Sequence, residues 1–166
     1  MDKLLANTNL DQLLFKRICP DQLLDQQYVK QKRLDGRSFN ESRKISIQTD
    51  YIKSADSSCI VRLGSTIAVS GARIEVLPKE NEIQIEGHLI VNVSFPLASD
   101  LPSSHPNSKA EKAQELSSQL SRIFSQCTDL KQLAIPSLSL AYCVYVDVVF
   151  LNADGSLLPA AIAAVG

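Results

Sequence analysis

AYCVYVDVVFLNADGSLLPAAIAAVG, residues 141–166, reads as a buried strand, a tight turn and the opening of a helix. Tyr142 to Leu151 is dense in β-branched and aromatic residues and carries a single charge, Asp147, which is the pattern of a strand deep in a sheet. Asn152-Ala153-Asp154-Gly155 is turn chemistry. Ser156 is a residue type that caps helices, and Pro159 is tolerated in a first helical turn because its missing N–H would have no partner there. Ala160 to Val165 propagate the helix. Its open end carries unpaired N–H groups and a positive partial charge, which suits an anion. Leu157 and Leu158, the side chains best placed to clamp one, supply no polar group.

Upstream of this stretch, Pro136 bounds a strand expected over 138–151. Lys109 to Cys127 is the clearest helix, with Ala113, Leu116, Leu120, Ile123, Phe124 and Cys127 on one stripe. Ser108 with Glu111 offers a capping box. The segment 100–108, DLPSSHPNS, is a loop by composition. Ile83 to Phe95 is a strand region with Leu89, Val91, Val93 and Phe95 on one face, and 78–82 is a charged loop. Cys59–Leu63 and Thr66–Val76 are two strands joined at Gly64-Ser65, a two-residue hairpin turn. Gly71 inside the second suggests a bulge or a close backbone approach. Ile45 and Ile47 alternate with Ser46 and Gln48, as in a half-buried strand, and 50–57 is a polar connection. Strands, helix, strand and helix in this order predict an α+β fold, a mostly antiparallel sheet with helices packed on it.

The first 30 residues read as a helical arm. Leu4, Leu5, Leu10, Leu13, Leu14 and Ile18 form a loose apolar stripe, and a second short helix runs from Asp21 to about Lys30, with Leu23, Leu24 and Tyr28 as its buried face. Such a stripe packs equally well on the body of the chain or on a neighbouring subunit. The domain division expected is an arm over 1–30 and a folded domain over 31–166.

The 166 residues are enough for one domain with a real core, and the composition is that of a globular protein, 45% hydrophobic and 21% charged. A net charge of −1 gives no global attraction for nucleic acid, so an RNA contact has to come from a local patch. Lys30 to Lys44 is such a patch, holding Lys30, Lys32, Arg33, Arg37, Arg43 and Lys44 against Asp35 and Glu41. By itself it reads first as a solvated surface run, and Tyr28 and Phe39 alone interleave it, which is short of a dedicated single-strand binding face. No apolar run is long enough to span a bilayer, and the N-terminus lacks the apolar core of a signal peptide, so a cytosolic or nuclear chain without membrane association is predicted. Cys19, Cys59, Cys127 and Cys143 show no metal-ligand spacing and read as packing residues, so neither a metal nor a cofactor is expected.

Against this background the residues resemble a known family. Arg33-Leu34-Asp35-Gly36-Arg37, Arg43 before the first strand, SCIVRLGSTIAVSGARIEV at 58–76, and VDVVFLNADG at 146–155 are similar in order and spacing to the ribonuclease PH domain. The resemblance spans about 33–164. It implies a fold of stacked βαβ units like domain two of a ribosomal small-subunit protein, and a further half after the 156–166 helix, so that a chain truncated at its C-terminal end is expected. Active members are phosphorolytic 3′ exoribonucleases. In them the Asp-Gly turn is normally followed by glycine, threonine and arginine, which cradle the attacking phosphate. The corresponding positions here are Ser156, Leu157 and Leu158, so Asp154, Gly155, Ser156, Leu157 and Leu158 form a degenerate phosphate site. Arginine holds phosphate through a fork of charge-assisted bonds, and leucine holds none.

Members without the clamp resemble the non-catalytic ring subunits of the RNA exosome, of the type whose archaeal counterpart is the inactive partner of the catalytic subunit. The resemblance then implies other ribonuclease PH-like ring subunits, RNA-binding cap subunits and RNA as partners, a role in ribosomal RNA maturation and messenger RNA turnover, and residence in the nucleus, nucleolus and cytoplasm. Arg37, Arg43 and Arg62 are the candidate RNA contacts. As alternatives to that role, Arg37 could pair with Asp35 or a sheet carbonyl, Asp147 could satisfy a buried backbone group, and Asp154 could simply form the turn. A second reading is a phosphate-dependent exoribonuclease, alone or through a composite site with a partner. A different hydrolase is disfavoured, because His88 and His105 are the only histidines and neither sits in a catalytic motif.

Overall fold

The computed structural model describes residues 18, 20–33, 35–78, 86–96 and 107–166. The apolar stripe of residues 4–14, Cys19, the charged loop at 79–82, residues 83–85 and His105 lie outside the described residues. The chain divides into two compact units, Met1–Arg43 and Lys44–Gly166.

In the first unit, helix α1 is Pro20–Val29. Leu24 and Tyr28, expected on a buried face, are 48% and 71% exposed. Periodicity marks a face, but among the described residues these two side chains of it are not buried.

The second unit is a mixed six-stranded sheet under two helices. Its strands are β1 (Ile45–Thr49), β2 (Ser57–Leu63), β3 (Thr66–Pro78), β4 (His88–Ser94), β5 (Ala134–Ile135) and β6 (Leu140–Asn152). The order across the sheet is β1-β2-β3-β6-β4, with the short β5 also on β6. Every pair is antiparallel except β4 with β6. That pair is parallel because helix α2 (Asn107–Cys127) carries the chain back between them, a βαβ crossover. The α+β class and mostly antiparallel sheet expected from the sequence are therefore present. Helix α3 is Leu157–Val165.

The core lies between the sheet and these two helices. Val61, Ala68, Val91, Val93, Val146, Val148 and Phe150 of the strands meet Leu116 and Leu120 of α2 and Ala160, Ala161 and Ala164 of α3. Alanines let α3 sit close to the strands, and the Ser70 hydroxyl donates to the carbonyl of Ala164, which fixes the last turn of α3 to the middle of β3. Phe95 stacks on Phe150 with ring centroids 5.0 Å apart.

Several local expectations are corrected. Ile45 and Ile47 face the helix side of the sheet but are each 53% exposed, because the helices do not extend over β1. The irregularity in β3 lies at Ile67/Ala68, not at Gly71, which keeps regular register with Ser58 and Asp147. A Cβ at Gly71 would touch Ile52 and Ala55 at ordinary distances of 3.7 and 3.8 Å. Ser108 is inside α2, which begins at Asn107, so it is not the cap. Leu138 belongs to a 3₁₀ turn before β6. Cys143 is buried, Cys59 is half-buried against the core and Cys127 is exposed, so the packing role holds for the first two only.

Candidate functional site

The candidate site forms where β6 runs into α3. Asn152, at the end of β6, sends its amide Nδ2 to the carbonyl of Ser65 at 2.8 Å, while its Oδ1 accepts from the Ala153 N–H at 2.9 Å. Thr66, the first residue of β3 and fully buried, completes the stitch. Its Oγ1 accepts from the Asp154 N–H at 3.1 Å and donates to the carbonyl of Gly155 at 2.7 Å. The turn into α3 is thus sewn to the β2–β3 hairpin. Gly155 has φ +77°, a left-handed conformation that glycine enters without a Cβ clash.

Ser156 occupies the position before the helix, also left-handed at φ +52°, and its side chain makes no capping bond. The capping expected of its hydroxyl is not realised, because residues that cap through the side chain sit in extended backbone. Its carbonyl still accepts the first helical bond, from the Ala160 N–H at 3.2 Å. Leu157 and Leu158 follow, both half-buried against the core. Pro159 removes one of the N–H groups that a helix start otherwise presents. No lysine or arginine occurs after Lys131, and Asp154 places a carboxylate in the turn itself. From its own segment the turn offers an anion a few backbone donors, a carboxylate and two leucines.

The arginines singled out from the sequence fall in different units. Arg37 and Arg43 belong to the first and Arg62, exposed on β2, to the second. Arg37 is engaged locally. Its Nε meets Asp35 Oδ2 at 2.7 Å and its guanidinium donates to the Glu41 carbonyl at 2.7 Å. Around it the Gly36 N–H donates to the Arg33 carbonyl at 2.9 Å and the Arg33 N–H to the Arg37 carbonyl at 2.7 Å, so the Asp-Gly-Arg motif is a tight turn with Gly36 at φ +86°. Pairing with Asp35 matches the structural alternative read from the sequence, with the Glu41 carbonyl in place of a sheet carbonyl. The Arg37 side chain, by hydrogen bonding to the Asp35 carboxylate, holds its pKa below the ordinary 3.8. A lowered pKa means that the charged carboxylate favours the ordered turn above that value, and the contribution fades as pH falls through the lowered one. In a carboxyl NMR titration Asp35 is expected to titrate below 3.8, and Arg37→Ala to return it toward 3.8. An unchanged titration in the variant would remove Arg37 as the cause.

Asp147 is exposed and accepts from Asn92 Nδ2 at 3.1 Å, a pairing between β6 and β4, so it does not serve a buried backbone group. His88, exposed, opens β4. Among the described residues no group of His, Cys, Asp and Glu is arranged to hold a metal ion. Sequence reasoning did not anticipate the role of Thr66. A hydroxyl at the head of an apolar strand was the available signal, but its partners lie 88 and 89 residues away.

The profile of the 3′ exoribonuclease family, domain 1, known as RNase PH, matches residues 41–166. The chain belongs to the ribonuclease PH family. Among curated relatives, the exosome complex component Rrp42 of Thermococcus gammatolerans is 38% identical over 132 residues, 78% of this chain and 48% of the relative. The exosome complex component rrp43 of Schizosaccharomyces pombe is 32% identical over 146 residues, 86% of this chain and 53% of the relative. The chain spans about half the length of these ribonuclease PH relatives. A solved structure of the Archaeoglobus fulgidus exosome with RNA bound to its active site superposes with a TM-score of 0.71 at 31% identity, covering 84% of this chain and 57% of that one.

Proposed function

We propose that the chain works as a non-catalytic ring subunit of an RNA exosome core, in the Rrp43-type position, supporting 3′-to-5′ RNA processing and decay by assembly and RNA threading. The observation that carries this is the opening of α3. The turn into it is held by Thr66 and Asn152, while Leu157, Leu158 and Pro159 offer no side-chain donor to a phosphate. Similarity to exosome components of both an archaeon and a yeast supports the ring. The partners are other ribonuclease PH-like subunits, RNA-binding caps and RNA. The processes served are ribosomal RNA maturation and messenger RNA turnover, in the nucleus, nucleolus and cytoplasm.

The test has two arms. Tagged chain recovered from cell extract is expected to bring ribonuclease PH-like subunits and cap proteins with it in one stable complex. The purified chain, given single-stranded RNA, magnesium and inorganic phosphate, is expected to release no nucleoside diphosphate. Diphosphate release that depends on phosphate and on this chain alone would overturn the non-catalytic reading, and recovery of the chain without such partners would overturn the ring.

A further inference from the structure

We infer that the first unit carries a base-stacking platform for single-stranded RNA, built from Tyr28, Phe39 and Arg33 and edged by Lys30 and Lys32. The inference deepens the RNA-threading reading above and names a contact outside the phosphate turn.

The platform follows from how the chain leaves α1. The Gln31 N–H donates to the Tyr28 carbonyl and the Lys32 N–H to the Gln27 carbonyl, each at 3.1 Å, and Gln31 turns the chain with φ +51°. Lys32 then pairs with Ser38 as an antiparallel bridge. The bridge sets Phe39 against the end of the helix, where its ring lies 5.5 Å from that of Tyr28, inclined by 49°. Arg33 closes the group. Its guanidinium donates to the Phe39 carbonyl at 3.0 Å and sits 5.9 Å from the ring centroid. Two residues distant in sequence from each other thus become one surface, which is why the spacing of Tyr28 and Phe39 along the chain did not reveal a binding face.

Exposure and charge say what fits it. Tyr28 is 71% exposed and Phe39 38%, so aromatic area is left facing water. Apolar surface alone would suit a protein partner. Here it is set in a segment with six basic side chains against two acidic ones over residues 30–44, and Lys30, Lys32 and Arg33 are exposed. A neutral apolar partner would have to strip water from these cations without replacing it. A single-stranded nucleic acid supplies both complements, a π face for the tyrosine and phosphates for the lysines.

The test is fluorescence anisotropy of a labelled twelve-nucleotide oligouridylate with the full chain and with its recovered complex. Tyr28→Ala is expected to weaken binding about tenfold, the size of one lost base stack. Tyr28→Phe should keep the affinity, and Tyr28→Leu, apolar but without a π system, should lose it as alanine does. Lys30→Gln with Lys32→Gln should lower the slope of log affinity against log salt by about 1.4, from about 0.7 per phosphate contact on a single strand. Tyr28 is so exposed that these changes leave folding intact, which circular dichroism checks. Equal RNA affinity in the parent and Tyr28→Ala, or no RNA binding by the parent, overturns the platform. Loss of a ring subunit from the Tyr28→Ala complex with unchanged RNA affinity also overturns it and makes this face a protein contact. If the chain fails to assemble into a ring but its RNA affinity still depends on Tyr28, the platform stands and the ring reading falls.

Discussion

Phe150→Ala is expected to destabilise the sheet unit by about 3–5 kcal/mol, the cost of emptying a large aromatic site in a core. Phe150 is fully buried near the C-terminal end of β6. Its ring stacks on Phe95 at 5.0 Å and 14°, and alanine would forfeit that pair, which is worth about 0.5–1.5 kcal/mol beyond area. The surroundings are poorly able to collapse into the gap. On one side Ala68 of β3 is paired with Phe150, next to the register shift at Ile67/Ala68, and α3 is held by the Ser70 bond to Ala164. Urea unfolding gives the measurement, with Leu151→Ala as the control. Leu151 is the next residue on the same strand, lies at the register shift and is 49% exposed, so its loss should stay within about 0.5 kcal/mol. Similar effects from the two variants would mean that the sheet is not covered as described.

Thr66→Val is expected to cost about 2–4 kcal/mol although it keeps the shape of the side chain. The hydroxyl serves the Asp154 N–H and the Gly155 carbonyl together, and valine leaves both without it, at about 1–2 kcal/mol for each of these part-buried groups, the lower part of the range for a stranded group. Thr66→Ser restores the oxygen and should recover most of the loss. Hydrogen exchange separates this from a general packing defect, since the Asp154 amide should lose protection in Thr66→Val more than amides in β4 do. Uniform loss of protection would place the effect in the core instead. These bonds maintain the path of the chain into α3 whether or not phosphate binds there, which suits the proposed scaffold role.

The central architecture was legible because its signals are local. The apolar run of β6, the stripe of α2 and the Gly64-Ser65 turn each specify an element from neighbouring residues. Coverage was less legible. Ile45 and Ile47 alternate like a half-buried strand, and Leu24 and Tyr28 repeat like a helix face, yet each is exposed because no local pattern says where a neighbouring helix ends. The site was legible in its Asp-Gly turn and its two leucines. It was not legible in Thr66 or in the joining of Tyr28 to Phe39, since both depend on chain segments brought together by the fold.

The hydroxyl of Ser117, on α2, accepts from the N–H of Val93 at 2.8 Å. β4 ends the strand order on one side and β1 on the other. The helix therefore occupies a main-chain donor that an incoming strand would need at β4, whereas β1 offers its outer row of backbone groups beside exposed isoleucines. Among the described residues the two ends of the strand order are therefore unequal: a strand added at β4 would first have to break the Val93–Ser117 bond, and one added at β1 would not.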